Sequence, residues 1–330
     1  MVKLRVAIIG FGFMGKTHAL NILRSQTMEL KAIVDNRSDL FTQLKGNINT
    51  GEIATADFAG INVYNTIDEC FVNESLDLVY ICVHTLSHYE LAMKSLMKGL
   101  HVFIEKPFVL DEKEGLALIA EAIKQRKKIG VGHVVRFMPA YCELYKIYTE
   151  QTLGSLKFIS LTRFSGLPNW GDWAKRRDNF GSSGGALFDL IIHDIDFLQY
   201  TLGKPDRIDS TYIEGQLSKH DYLNAFWQYN NSEIKVKVEG GNIFPSLFPF
   251  EASFKACFEN GAVCWHSSEG LNFKIITAND LQTISLEDAN IGYQREEDYF
   301  AKCIIEDLIP EACSAESSLR TIQLCYQHIS

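Results

Sequence analysis

A short apolar run, Leu4-Arg5-Val6-Ala7-Ile8-Ile9, breaks at Gly10-Phe11-Gly12-Phe13-Met14-Gly15, and a helix-length segment follows from Lys16 to about Ser25. A second apolar run, 30–34, ends in Asp35, twenty residues after Gly15. Strand, glycine turn, helix, strand and acid in this order constrain the chain more than any other feature. Gly10 permits the tight turn, Gly12 lets backbone N–H groups approach a pyrophosphate, and Gly15 lets helix and strand pack closely. The helix N-terminus adds unpaired N–H groups and a partial positive charge. The layout predicts a dinucleotide site formed by Gly10, Phe11, Gly12, Phe13, Met14 and Gly15, with Asp35 accepting bonds from the adenosine ribose. Asp35 favours NAD, because a carboxylate repels the 2′-phosphate of NADP. Arg37, one residue past Asn36, can stack on adenine or pair with that phosphate, so NADP stands as the alternative.

The rest of residues 1–132 continues the alternation of strand and helix, which predicts a parallel sheet covered by helices. Strands are expected at 76–83, 101–105 and 129–132. Between them, Ser87-His88-Tyr89-Glu90 reads as a capping box opening a helix to Lys98, and Asp111 opens another to about Lys127. From 133 to 330 the texture changes. Strand patterns at 156–164, 208–214, 223–229, 234–239, 251–259, 262–266 and 273–277 follow one another with short polar breaks, so a large, mostly antiparallel open sheet is expected. One long helix, 186–202, interrupts them, and the tail from about Glu296 is helical. The fold class is thus an α/β Rossmann domain, 1–132, followed by an α+β substrate and oligomerisation domain, 133–330, whose terminal helix is a candidate to pack back on the first domain.

With 330 residues, 46% of them hydrophobic, the chain can fill two cores. A formal net charge of −9, with no basic cluster beyond Arg126-Lys127-Lys128 or Lys175-Arg176-Arg177, argues against nucleic acid as a partner. No apolar run approaches the roughly 18 residues of a membrane span. The N-terminal apolar run is too short for a secretory signal, and the expected location is cytoplasmic. Eight cysteines at 70, 82, 142, 257, 264, 303, 313 and 325 contain no CxxC pair and read as reduced thiols, with no metal site expected.

In open α/β sheets, ligands bind outside the carboxyl ends of the strands. The strand ending in Ile104-Glu105 delivers Lys106 there, and Pro107 biases Lys106 away from helical angles. The strand carrying Cys82 ends at the same edge, followed by His84 and His88. Cys82, His84, His88, Glu105 and Lys106 therefore join the expected cofactor contacts. The helix 186–202 is apolar nearly all round, yet carries Asp189 and His193 four residues apart on one face. They read either as a satisfied core pair or as an acid/base pair in which Asp189 orients His193. Asp196 shares that face and is a candidate structural anchor. Arg163, Asn169, Trp170, Asp172, Trp173, Lys175 and Arg176 lie in or beside the loop before this helix, where aromatic, amide and charged groups suit a polyhydroxylated ring; a solvated flap or an oligomer contact is the other reading.

Taken together, the glycine turn, Gly99-Leu100-His101-Val102-Phe103-Ile104-Glu105-Lys106-Pro107, Val131-Gly132-His133 with Arg136-Phe137, and Gly184-Gly185-Ala186-Leu187 with Asp189, His193 and Asp196 resemble the glucose-fructose oxidoreductase/inositol dehydrogenase/MocA family over essentially the full length. The resemblance implies hydride transfer between NAD(P) and a secondary alcohol or ketone of a sugar, cyclitol or sugar derivative. In that pattern Lys106 polarises the reacting oxygen, His193 is the general base and Asp189 binds substrate and orients it. Together with the loop residues above, the set expected at substrate is Lys106, Arg136, Arg163, Trp170, Trp173, Asp189 and His193. It further implies a cis Lys106–Pro107 bond and a homodimer or homotetramer formed through the second sheet. Two departures from the family stand out: His84 replaces a smaller or prolyl segment, and the chain ends at Ser330 where the family's last helix commonly continues, which reads as a shortened terminus. Two other functions fit the same fold, a non-catalytic NAD(P)-sensing regulator and an NAD-dependent redox glycosidase.

Overall fold

Strands that are apolar on both faces are stable only in a sheet covered on both sides. The first unit is built that way. The computed structural model describes residues 3–37, 40, 58–168 and 184–330. In chain order the first elements are β1 (Leu4–Ile9), α1 (Phe13–Arg24), β2 (Met28–Val34), β3 (Asn62–Tyr64), α2 (Ile67–Asn73), β4 (Leu78–Ile81), α3 (His88–Met97), β5 (His101–Glu105), α4 (Glu112–Gln125) and β6 (Ile129–Gly132). The six strands pair in the order β3-β2-β1-β4-β5-β6, every pair parallel. The order reverses at β1/β4, so the carboxyl ends of these two strands flank the crevice where such sheets bind nucleotides. Val6, Ala7, Ile8, Leu78, Val79, Val102 and Ile104 are fully buried along the central strands.

Local chemistry sets the helix starts, though not always where the pattern pointed. Asp111 caps α4 by accepting the Lys113 N–H at 2.7 Å, as expected. Ser87 forms no capping bond: a 3₁₀ turn, Thr85–Ser87, runs directly into α3, and Ser87 already has helical angles, so its hydroxyl cannot reach back. The complete capping box lies instead at Thr66 and Glu69, at the start of α2. Neither β3 nor α2 was expected, because both are too short to carry a periodic signal.

The second unit contains α5 (Pro139–Thr149), β7 (Leu156–Gly166), α6 (Ile192–Leu202), β8 (Arg207–Ile213), β9 (Tyr222–Tyr229), β10 (Ser232–Phe244), β11 (Glu251–Phe258), β12 (Ala262–His266), β13 (Asn272–Ile276) and β14 (Leu281–Ser285). Its eight strands run β14-β13-β12-β11-β7-β10-β9-β8. All pairs are antiparallel except β7 with β10. A π-helical turn, Leu187–Ile191, opens α6 and packs against β7, β9 and β10. The sequence pattern indicated one continuous α-helix here; it does not register a single inserted residue. Two last helices follow, α7 (Ile291–Ile305) and α8 (Ala315–Gln327). The two compact units are residues 1–134 with 293–319, and 135–292 with 320–330. The first unit thus includes a segment that the sequence reading assigned to the second domain. Among the described residues, no helix is long and apolar enough to cross a membrane.

Within the second unit the chain end is held by one imidazole. His328 accepts the Trp227 indole N–H on Nε2 at 2.8 Å, faces the Leu324 carbonyl with Nδ1 at 2.7 Å, and its own carbonyl accepts from the Ser210 hydroxyl at 2.5 Å. An acceptor at one nitrogen and a donor at the other require the neutral ring. Burial pushes its pKa down to about 4, against the opposing pull of the Leu324 carbonyl. The unfolded chain therefore takes up this proton first: the contribution is whole above pH 6.5 and is lost as pH falls toward 4. The stability difference between wild type and His328→Gln should shrink over that window by roughly 2–4 kcal/mol. Urea unfolding at pH 7 and pH 4 measures it, and a difference independent of pH would remove His328 as the cause.

Candidate active site

The glycine turn after β1 has room for glycine only where the fold needs close approach. Gly10 has φ +89°, and a Cβ on it would lie 2.5 Å from the Cys82 carbonyl oxygen. A Cβ on Gly15 would overlap the Gly10 carbonyl oxygen. Gly12 is different: nothing lies within 4 Å of its Cβ position. Gly12 also precedes α1 with no side-chain capping bond, so the first-turn N–H groups are not taken by a cap. An open backbone next to uncapped amides at a helix N-terminus suits a pyrophosphate, and these residues fit a dinucleotide.

Asp35, at the end of β2, accepts the Phe11 N–H at 2.7 Å and three bonds from Arg37: its backbone N–H at 3.0 Å, Nε at 3.0 Å and Nη2 at 2.8 Å. Burial raises the Asp35 pKa, but the Arg37 and Phe11 bonds outweigh it and hold the carboxyl below its usual range. Arg37, read from sequence as a partner for adenine or a phosphate, is thus the partner of Asp35. The Phe11 ring is buried edge-on against Phe58, so only its backbone reaches the turn. Phe13 and Met14 are half-buried in the first turn of α1, and Asn36 is exposed.

Lys106 follows β5 at the carboxyl edge of the same sheet, half-buried, with a cis bond to Pro107. Its backbone N–H donates to Glu105 Oε2 at 3.1 Å. Glu105 Oε1 in turn meets His18 Nε2 at 2.7 Å, and His18 Nδ1 meets Glu297 Oε1 at 2.7 Å. The His18 ring is completely buried. Burial alone would push its pKa down, but two carboxylates reverse that and lift it to about 10. The same contact holds Glu105 below the ordinary carboxylate range despite its burial, whereas burial wins at Glu297 and raises it.

His88 was expected to touch cofactor. The structure buries it, with Nδ1 3.0 Å from the Pro107 carbonyl and Nε2 3.1 Å from the Val83 carbonyl. It ties the loop after β4 to the residues after Lys106, and burial lowers its pKa. Cys82 meets the glycine turn through its carbonyl, and burial raises its thiol's pKa. His84 is exposed.

In the second unit, Asp189 sits in the π turn and His193 in the first turn of α6, both half-buried. Nδ1 of His193 is buried. The two arginines expected at substrate have other commitments. Arg136 donates Nε to Asp196 Oδ2 at 2.7 Å and Nη2 to Oδ1 at 2.5 Å, with the Thr321 hydroxyl on the same carboxylate at 2.8 Å. Arg163 donates Nε to Asp194 Oδ2 at 3.0 Å and Nη2 to Oδ1 at 2.8 Å and to the Tyr141 hydroxyl at 2.9 Å. Both guanidiniums are buried, so their fork geometry is used inside the unit, on the carboxylates of α6. Asp196 is thereby the structural anchor. Trp170 and Trp173, with Asn169, Asp172, Lys175 and Arg176, lie outside the described residues.

Sequence reasoning missed His18 and Glu297. The one local signal was His18 itself: three residues after Gly15 it shares the helix face that packs on the sheet, where a buried imidazole needs a partner.

These features define a class: a dinucleotide-binding Rossmann domain joined to a mostly antiparallel sheet domain, with a lysine at the nucleotide edge. Residues 4–133 match the family model of an oxidoreductase family with an NAD-binding Rossmann fold, and residues 141–264 match the C-terminal domain of the same family. The chain belongs to the Gfo/Idh/MocA oxidoreductase family. Among curated relatives, it is 23% identical to a myo-inositol 2-dehydrogenase of Thermotoga maritima over 72% of this chain and 66% of that protein. It is 24% identical to the NAD(+) scyllo-inositol 2-dehydrogenase of Bacillus subtilis over 96% of this chain and 91% of that one. Its fold is like that of UDP-N-acetylglucosamine 3-dehydrogenase from Acidithiobacillus ferrooxidans, with TM-score 0.78, 19% identity, and coverage of 99% and 97%.

The glycines separate two kinds of effect. Gly12→Ala should fold normally yet weaken NADH binding by about tenfold or more, about 1.4 kcal/mol, while Gly15→Ala should lose thermal stability first. NADH fluorescence titration beside thermal unfolding distinguishes them; wild-type affinity in Gly12→Ala would place the pyrophosphate elsewhere.

Proposed function

We propose that this protein is an NAD-dependent dehydrogenase or reductase acting on a secondary alcohol or ketone of a sugar, cyclitol or sugar derivative. The observation that carries the reading is Lys106: the residue directly after β5, at the carboxyl edge of an NAD-binding 3-2-1-4-5-6 sheet, with its own N–H held by Glu105. Inositol dehydrogenases among the relatives support the substrate class. NAD is preferred to NADP because an acid, Asp35, ends β2 at the ribose position of such folds and the Arg37 guanidinium is already engaged by it.

Gly10, Gly12, Gly15 and Asp35 would hold the dinucleotide, which when bound accepts or returns a hydride. The protein's own residues handle the rest of the change. The Lys106 ammonium donates a hydrogen bond to the reacting oxygen and stabilises the negative charge that develops there. His193 takes the hydroxyl proton; with Nδ1 buried, Nε2 is the nitrogen that receives it. Asp189, four residues earlier on the same face, binds substrate and orients His193. In the oxidative direction the carbon–hydrogen bond and the oxygen–hydrogen bond break, and a carbon–oxygen double bond forms. Arg136 and Arg163 act one step back, fixing α6 through Asp196 and Asp194. The outward face of the second sheet, with Phe226 and Ile213 about half exposed, supports self-association as a dimer or tetramer.

Lys106→Met and His193→Asn should each lower polyol-dependent NADH formation by at least about 100-fold, with NADH affinity within about threefold of wild type. A panel of inositols and sugars monitored by absorbance of the reduced cofactor tests this. Normal turnover in both variants, or glycoside hydrolysis without net NADH, would replace the reading.

A further inference from the structure

We propose that His18 is a positioning residue for Lys106, acting through Glu105 with Glu297 as its brace. This rests on the role of Lys106 proposed above.

The atoms form one line. His18 on α1 bonds Glu105 Oε1, and Glu105 Oε2 accepts the N–H of Lys106. On the other ring nitrogen, Glu297 Oε1 closes the line, itself held by the Asn21 amide at 3.0 Å. Both nitrogens face carboxyl oxygens, and the two acids lift the ring's pKa to about 10, so at neutral pH the ring is an imidazolium that donates to both. The cation keeps Glu105 ionised inside an apolar shell, where Tyr80 and Phe103 rings pack 5.3 and 5.5 Å from the imidazole. An ionised Glu105 is an acceptor at both oxygens, which is what the Lys106 N–H requires.

The neighbourhood is shaped around that carboxylate. Gly132, the register partner of Glu105 on β6, has its Cβ position 3.2 Å from Oε1 and 3.3 Å from Cδ, tighter than an ordinary contact. From the other direction His88 faces the Pro107 carbonyl. The backbone from 105 to 107 is therefore held on two sides by imidazoles from α1 and α3. A buried ion cluster is a poor way to gain stability, since apolar residues of similar volume do as well or better. It is a good way to fix one orientation of a peptide. α1 is also the helix whose N-terminus serves the pyrophosphate, so the same helix that receives the dinucleotide sets the lysine.

Full-length His18→Gln tests the assignment. Saturating turnover should fall by about 10- to 100-fold, the range for a small misplacement of a reacting group, while NADH affinity changes less than about threefold. In a Lys106→Met background, His18→Gln should change the residual rate less than about twofold, because both act on one interaction. A readout without cofactor is the Lys106 NMR signal of the ¹³C-dimethylated protein, assigned by its absence in Lys106→Met; it should shift in His18→Gln. If His18→Gln fails to fold, Gly132→Ala, which crowds Glu105 without removing charge, should show the same loss of turnover at unchanged NADH affinity. Unchanged turnover in a folded variant, loss of NADH affinity in step with turnover, additivity with Lys106→Met, or unfolding of both variants would overturn the proposal. Turnover that survives Lys106→Met would instead sink the proposed function, and a shifted Lys106 signal in His18→Gln would still stand.

Discussion

Everything at the nucleotide edge depends on how close two backbones come. Gly15 touches the carbonyl of Gly10, and Gly10 touches the carbonyl of Cys82, so β1, α1 and β4 meet with no side chain between them. That contact sets the depth of α1 in the sheet. At that depth the His18 ring, one turn along the helix, falls within hydrogen-bond reach of Glu105 at the end of β5. A helix even one methyl further out would leave an imidazole and two carboxylates buried without each other, at a cost of several kcal/mol.

The second unit solves a related problem with different residues. α6 carries Asp194 and Asp196, both fully buried, and each is met by an arginine in bidentate geometry from outside the helix. Arg136 comes from the short turn before α5 and Arg163 from β7. The π turn ahead of α6 carries Asp189 and the first turn of α6 carries His193, on a helix fixed by those two ion pairs. Inserted residues of this kind recur at functional sites because they re-aim side chains without ending the helix.

What was legible in the sequence was whatever lies within one stretch of chain. The glycine turn, Asp35, the Lys106–Pro107 element and the apolar strands each announce themselves over a few residues. The partners of charges do not. Arg163 read as a substrate contact from the polar, aromatic loop beside it and Arg136 from the family motif, while the acids they bond lie 31 and 60 residues away. His18 and Glu297, 279 residues apart, show the extreme case. Short elements were lost for another reason: β3 has three residues and α2 seven, too few for a period to emerge.

The segment 293–319 belongs to the first unit although it follows the whole antiparallel sheet in the chain. A growing polypeptide emerging from the ribosome would complete all six parallel strands with His18 facing a single carboxylate. Its second counter-ion, Glu297, arrives only after the whole antiparallel sheet has been synthesised. The nucleotide-binding half is thus finished late, and its electrostatic closure coincides with completion of the rest. An interrupted or truncated translation product would carry a lone buried ion pair beside an incomplete lining, which marks it chemically as unfinished.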